Sequence, residues 1–191
     1  TADFAEVTGY GFYDGGRDKV EAVFAQVLGC EDALVRPHIM SGTNAIWLTL
    51  SGLLHYGDTM ICISGLPYDP LQNIVGITGN SAHSLINNGV KYEQIDLIGS
   101  EFDTERIKER LAKNDVKLVE IQRSRGYSHR EGLSIKQIED MCSVIRSVNK
   151  DVIIMIDNCY GELVEEKEPC EVGVDIMAGS LMHNLGGGIA T

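Results

Sequence analysis

Apolar residues at Val20, Val23, Phe24 and Val27 follow helical spacing and predict an amphipathic helix over residues 17–28, closed by Gly29. A second, more apolar helix is predicted over 44–56, led by Ser41-Gly42-Thr43 and ended by Gly57-Asp58. The run TMICIS (59–64) reads as a buried strand, 71–75 as a short helix and 91–97 as a strand. Beyond residue 100 the alternation becomes regular. A helix over 103–112 keeps Ile107 and Leu111 on one face, and a strand follows over 116–121. A helix over 134–148 places Ile135, Ile138, Cys142 and Ile145 in register, with Ser134 and Gln137 as a capping-box pair. The near-continuous apolar run VIIMI (152–156) is the pattern of a strand buried on both faces, and 175–178 predicts another strand.

Strands alternating with helices of this length predict an α/β fold in three layers around a mainly parallel sheet. No repeat or Pro/Ser-rich linker divides the chain. Ligands of such sheets gather at the carboxyl ends of the strands, so candidate chemistry is sought just after each one.

Composition narrows the classes. With 191 residues, 43% hydrophobic and 23% charged, the chain suits one globular domain, or one with a small appendage. No apolar run approaches the length of a bilayer span, and the first residues lack the pattern of a secretory signal. A net charge of −12 argues against nucleic acid, which needs a basic face. The acid is densest over 162–171 and reads as a solvated surface. Five cysteines without CxxC pairing read as small buried thiols in a reducing, cytoplasmic setting, with Cys159 set apart by its polar neighbours.

Behind VIIMI stands Asp157, in DNCYGE, either a turn former or an acid aimed at a ligand cation. Behind KLVEI come Arg123 and Arg125, an anion contact or surface ion pairing. Ser41, Gly42 and Thr43 open a helix with free N–H groups, an anion site or a common cap, and Gly179-Ser180 repeats the hydroxyl-plus-glycine pattern. Tyr68, in GLPYDP, offers a plate for a planar ligand or packs in a turn.

The motifs GYGFYDGGRDKVE, RPHIMSGTNAI, GLPYDPLQNIVG, IQRSRGYSHR, IDNCYGELVEEKEPCEVGVDIMAGSL and NLGGGIAT occur in this order along the chain. Together they resemble the aluminium-resistance, methionine-gamma-lyase-like family, within the pyridoxal-phosphate (PLP) enzymes of the aspartate-aminotransferase fold type. The resemblance implies that residues 1–191 are an incomplete large, cofactor-binding domain. Residues 1–30 would be its N-terminal segment and helix, 31–191 its α/β core, and a C-terminal domain would be missing. Ser41, Gly42, Thr43 and Ser180 match the phosphate-binding elements, Tyr68 the ring-stacking aromatic, and Asp157 the carboxylate holding the pyridinium nitrogen. Tyr160 belongs to the same motif as Asp157. Tyr13 and Arg17 resemble the segment that reaches a neighbouring subunit's phosphate, which implies a homodimer or homotetramer.

Two positions depart from the family. His183 stands where members carry the lysine that forms a Schiff base with PLP. The eight lysines (19, 91, 108, 113, 117, 136, 150 and 167) lie elsewhere. Imidazole cannot form that bond, and the lysine amine also moves the proton in the chemical step. Asn44 stands where a ring-stacking histidine is usual. The expected activity is carbon–sulfur bond cleavage of a cysteine- or methionine-type amino acid. The alternatives are a domain that holds PLP or another phosphate without a covalent bond, or an inactive remnant. Nucleotide binding is disfavoured because no G-x-G-x-x-G follows an early strand, and zinc because the histidines and cysteines lack ligand spacing.

Overall fold

The computed structural model describes residues 14–183. Tyr13 and the glycine run after Asn184 lie outside the described residues. Helix α1 (Gly15–Val27) begins at Asp14, whose carboxylate accepts from the Arg17 N–H at 3.1 Å. Helix α2 (Gly42–Leu53) starts two residues before the predicted 44, because the Ser41 hydroxyl caps it by accepting from the Asn44 N–H at 3.1 Å. It stops short of the predicted 56 where Leu54 turns extended and the Asp58 carboxylate accepts from the His55 N–H.

Then follow β1 (Thr59–Cys62), α3 (Asp69–Val75), β2 (Lys91–Gln94), α4 (Thr104–Leu111), β3 (Leu118–Gln122), α5 (Ile135–Val148), β4 (Ile153–Asp157) and β5 (Ile176–Ala178). Among the described residues these strands form one sheet in the order β2-β1-β3-β4-β5, parallel at every pairing. Strand β1 ends before the predicted residue 64 because the Ser64 hydroxyl leaves the ladder to accept from the Gln122 N–H at 2.7 Å.

Side-chain alternation along the strands builds two apolar layers. Ile61, Val119, Ile121, Ile154 and Ile156 pack with Ile107 and Leu111 of α4 and Ile138 and Ile145 of α5. Met60, Cys62, Leu118 and Met155 face Ile46 and Leu50 of α2 and Leu71 and Val75 of α3. The three-layer α/β sandwich expected from the alternation is the fold observed. Among the described residues no helix is long and apolar enough to cross a membrane.

The capping box on α5 is formed in both directions. The Ser134 hydroxyl accepts from the Gln137 N–H, and the Gln137 side chain accepts from the Ser134 N–H at 2.9 Å. Replacing Ser134 with Ala leaves a helix-end N–H unsatisfied. It should lower stability by about 1 kcal/mol in urea unfolding.

Two surface readings need correction. In the acidic stretch, Glu162 and Glu168 are buried. Glu162 accepts from the Ser180 N–H, and Glu168 accepts from the Asn158 amide and the Leu163 N–H, so these carboxylates knit the loops after β4 and β5. Of the five thiols only Cys62 and Cys142 are buried; Cys30, Cys159 and Cys170 are partly exposed.

Candidate functional site

The carboxyl ends of β3, β4 and β5 and the start of α2 surround a cleft of about 770 Å³, within the usual size range for small-ligand sites. Its lining includes Ser41, Gly42, Thr43, Tyr68, Asp157, Tyr160, Ser180 and His183. These residues come from separate stretches of sequence, gathered because parallel strands all deliver their following loops to one edge.

The α2 end forms a cup. A Cβ added at Gly42 would lie 3.0 Å from the Cys159 sulfur and 3.1 Å from the Ser180 Cβ, so any larger residue would push these side chains aside. Backbone N–H groups at a helix start carry partial positive charge and suit a phosphate. The Thr43 hydroxyl and the Tyr68 phenol are hydrogen-bonded at 2.8 Å, which ties the cup to the aromatic ring. Burial, the largest influence, pushes the Tyr68 phenol up to about 12, so Tyr68 is neutral at ordinary pH.

At the other side Asp157 is 2% exposed. One carboxylate oxygen accepts from the Cys159 N–H at 3.0 Å. Burial raises its pKa above the usual carboxylate value, with Cys159 opposing. A cation brought against it would relieve that cost. The loop beyond is strained: Tyr160 holds φ at 72° and Leu163 at 60°, a region that side chains other than glycine rarely adopt. Tyr160 stacks on His183 with ring centroids 4.3 Å apart and planes within 15°.

The remaining predicted positions separate. Arg123 lines the cleft, but its guanidinium donates within the protein, to the Leu133 and Gly161 carbonyls, Asn158 and Glu165. It locks the loop after β4 to the end of β3 from a buried position, so it is not the surface ion pair that was one of its two readings. Arg125 also lines the cleft, and its carbonyl accepts from Ser128. Asn44 is absent from the lining; its side chain accepts from the Met40 N–H at 3.3 Å. Arg17 pairs with Asp14 on α1 and does not line the cleft. Among the described residues no cluster of three or more histidine, cysteine or acidic side chains is placed to hold a metal.

Two contributors escaped the sequence reading. Gln122 accepts from the Tyr68 N–H at 2.8 Å and donates to the Ser124 carbonyl, so it sets the height of the aromatic ring. Its place directly after an apolar strand was the available signal, overshadowed by the arginine beside it. Glu120 is fully buried on the same sheet face as Asp157, opposite Cys62 and Met155. Neither of its oxygens has a hydrogen-bond partner. Burial pushes its carboxyl up to about 7, with Cys62 opposing and Asp157 adding to the rise.

Several known proteins resemble this chain in sequence or fold. The uncharacterized protein YnbB of Bacillus subtilis (strain 168) is 44% identical over 189 residues, 98% of this chain and 45% of YnbB. The crystal structure of a candidate cystathionine beta-lyase involved in aluminum resistance from Clostridium acetobutylicum superposes with a TM-score of 0.94. It is 48% identical, covering 100% of this chain and 45% of that one. The PLP-dependent protein YhfS from Escherichia coli shares the fold at a TM-score of 0.63 and 19% identity, over 84% of this chain and 38% of its own. The chain thus spans less than half the length of the relatives it matches. The methionine gamma-lyase family model matches residues 1–191 throughout, and the chain belongs to that family.

Proposed function

We propose that this chain is the cofactor-binding part of a PLP-dependent carbon–sulfur lyase-type protein, and that with His183 in place it holds PLP without a covalent bond. The observation that carries the reading is the buried Asp157 facing the same cleft as the close-packed cup of Gly42 and Ser180. The residues present fit the group. The N–H groups at the start of α2, with Ser41, Thr43 and Ser180, would hold the phosphate; Tyr68 would lie against the ring and Asp157 would hold its nitrogen. Bound PLP would supply an electron sink for a carbanion beside the amino nitrogen of a cysteine- or methionine-type substrate.

His183 faces the cleft without an amine. Its stacking on Tyr160 fixes the plane of the imidazole ring. The noncovalent holding state is favoured over full lyase turnover because the lysines lie outside the cleft lining. Assembly as a homodimer or homotetramer, with the start of one chain at its neighbour's phosphate, and a cytoplasmic setting belong to the same proposal.

The test is a PLP titration followed by dialysis. The unaltered chain should quench on adding PLP and recover fully once PLP is dialysed away. His183→Lys should retain PLP through dialysis and through borohydride reduction with a mass gain on the peptide carrying residue 183. Reduction-stable PLP on the unaltered chain at a cleft residue would overturn the noncovalent reading. No binding by either protein would overturn the PLP assignment itself.

A further inference from the structure

Cys30 follows the turn that ends α1, and Cys170 lies in the short 3-10 turn Pro169–Val172 ahead of β5. The two segments touch closely. Gly29 has φ of 61°, and a Cβ there would sit 2.2 Å from the Glu171 side chain, so glycine lets the backbone of one rest against the other. The Cys30 thiol donates to the Leu28 carbonyl at 3.4 Å and lies close enough to Cys170 to shift that thiol's titration. Both are partly exposed, unlike Cys62 and Cys142, so small reagents reach them. Helix α1 is otherwise joined to the segment before α2 by local polar contacts: Glu21 pairs with Arg36 and accepts from the Val35 N–H.

We propose that Cys30 and Cys170 form a reversible intramolecular disulfide, a modification site for low-molecular-weight disulfides that ties α1 to the sheet domain. The Cys30 thiolate attacks one sulfur of R–S–S–R, whose S–S bond breaks and releases RS⁻, leaving a mixed disulfide on Cys30. The Cys170 thiol loses its proton to solvent and attacks the Cys30 sulfur, and the second RS⁻ departs. Two protein thiols are oxidised, and one small disulfide is reduced to two thiols, which take up the released protons. Burial, Cys30 itself and the carboxylates of Glu168 and Asp175 push the Cys170 thiol up. With the Cys170 thiol held protonated, closure speeds up with alkaline pH.

The reduced chain is incubated with oxidised glutathione at mildly alkaline pH, alkylated and digested for peptide mass analysis. The expected result is a linked Cys30–Cys170 peptide pair, loss of two of the five alkylatable thiols, a monomeric band on a non-reducing gel, and reversal by dithiothreitol. Cys170→Ser should retain glutathione on Cys30. In the unaltered chain, a persistent glutathione adduct on Cys30 with Cys170 alkylated would overturn the proposal. So would linkage of either residue to Cys159, or a disulfide between two chains. Because the deciding readout uses the unaltered chain, it does not depend on a variant folding.

Discussion

Replacing Glu120 with Gln should raise stability by about 3 kcal/mol at pH 8 and leave it nearly unchanged at pH 4. The cause is a carboxylate fully buried between Cys62 and Met155, where the Cys62 thiol and the Arg130 charge offset only part of the loss of water. Its pKa rises from 4.5 in the open chain to about 7 in the fold. The folded state therefore binds the proton more tightly than the unfolded state. Stability is full below pH 4.5, falls as pH rises, and levels off once the folded carboxyl has ionised above pH 7. Glutamine keeps the shape and removes the titration. Asp157 is shifted in the same direction by burial, so a residual slope persists in the variant. Urea unfolding from pH 4 to pH 8 checks this. Parallel pH profiles for the two proteins would show that Glu120 does not carry the dependence.

Asp157→Asn should weaken noncovalent PLP binding roughly ten- to thirty-fold at neutral pH, because a charge-assisted hydrogen bond gives way to a neutral one. The unaltered protein should also lose affinity as pH falls through the raised pKa of Asp157, since a protonated acid no longer attracts a ring cation. In the variant that acid limb disappears. Fluorescence titration with PLP across pH reads both effects. An Asp157→Asn protein with unchanged affinity and an unchanged acid limb would remove Asp157 from the site. A circular-dichroism spectrum of the variant separates that outcome from unfolding.

Among the described residues the apolar patterns located the strands of the sheet and the α-helices around it, because burial on one or two faces leaves a local trace at period 3.6 or 2, but not the 3-10 turn Pro169–Val172. Their ends were less legible. Helix α2 starts at Gly42 because the Ser41 hydroxyl is available to cap it, and β1 stops at Cys62 because Ser64 answers a backbone N–H on β3. The cleft residues Asp157, Tyr68, Gly42 and Ser180 could be named in advance because each stands at a strand end or a helix start. The side chains around them could not be assigned in that way.

Arg123 and Asn44 show the limit from one side. Both are polar residues beside the cleft, yet one donates to the loop after β4 and the other turns back to Met40. Glu120 shows it from the other side, as a charged letter within an apolar run whose cost depends on which residues lie opposite it in the register. The sequence by itself determined the α/β alternation and the parallel sheet, since these follow from periodicity and local backbone chemistry. Only the tertiary structure decided the buried state of Glu120, the inward pairing of Arg123 and the meeting of Cys30 with Cys170. Such contacts join residues far apart in the chain, and their energy depends on the register and crossover packing that bring them together.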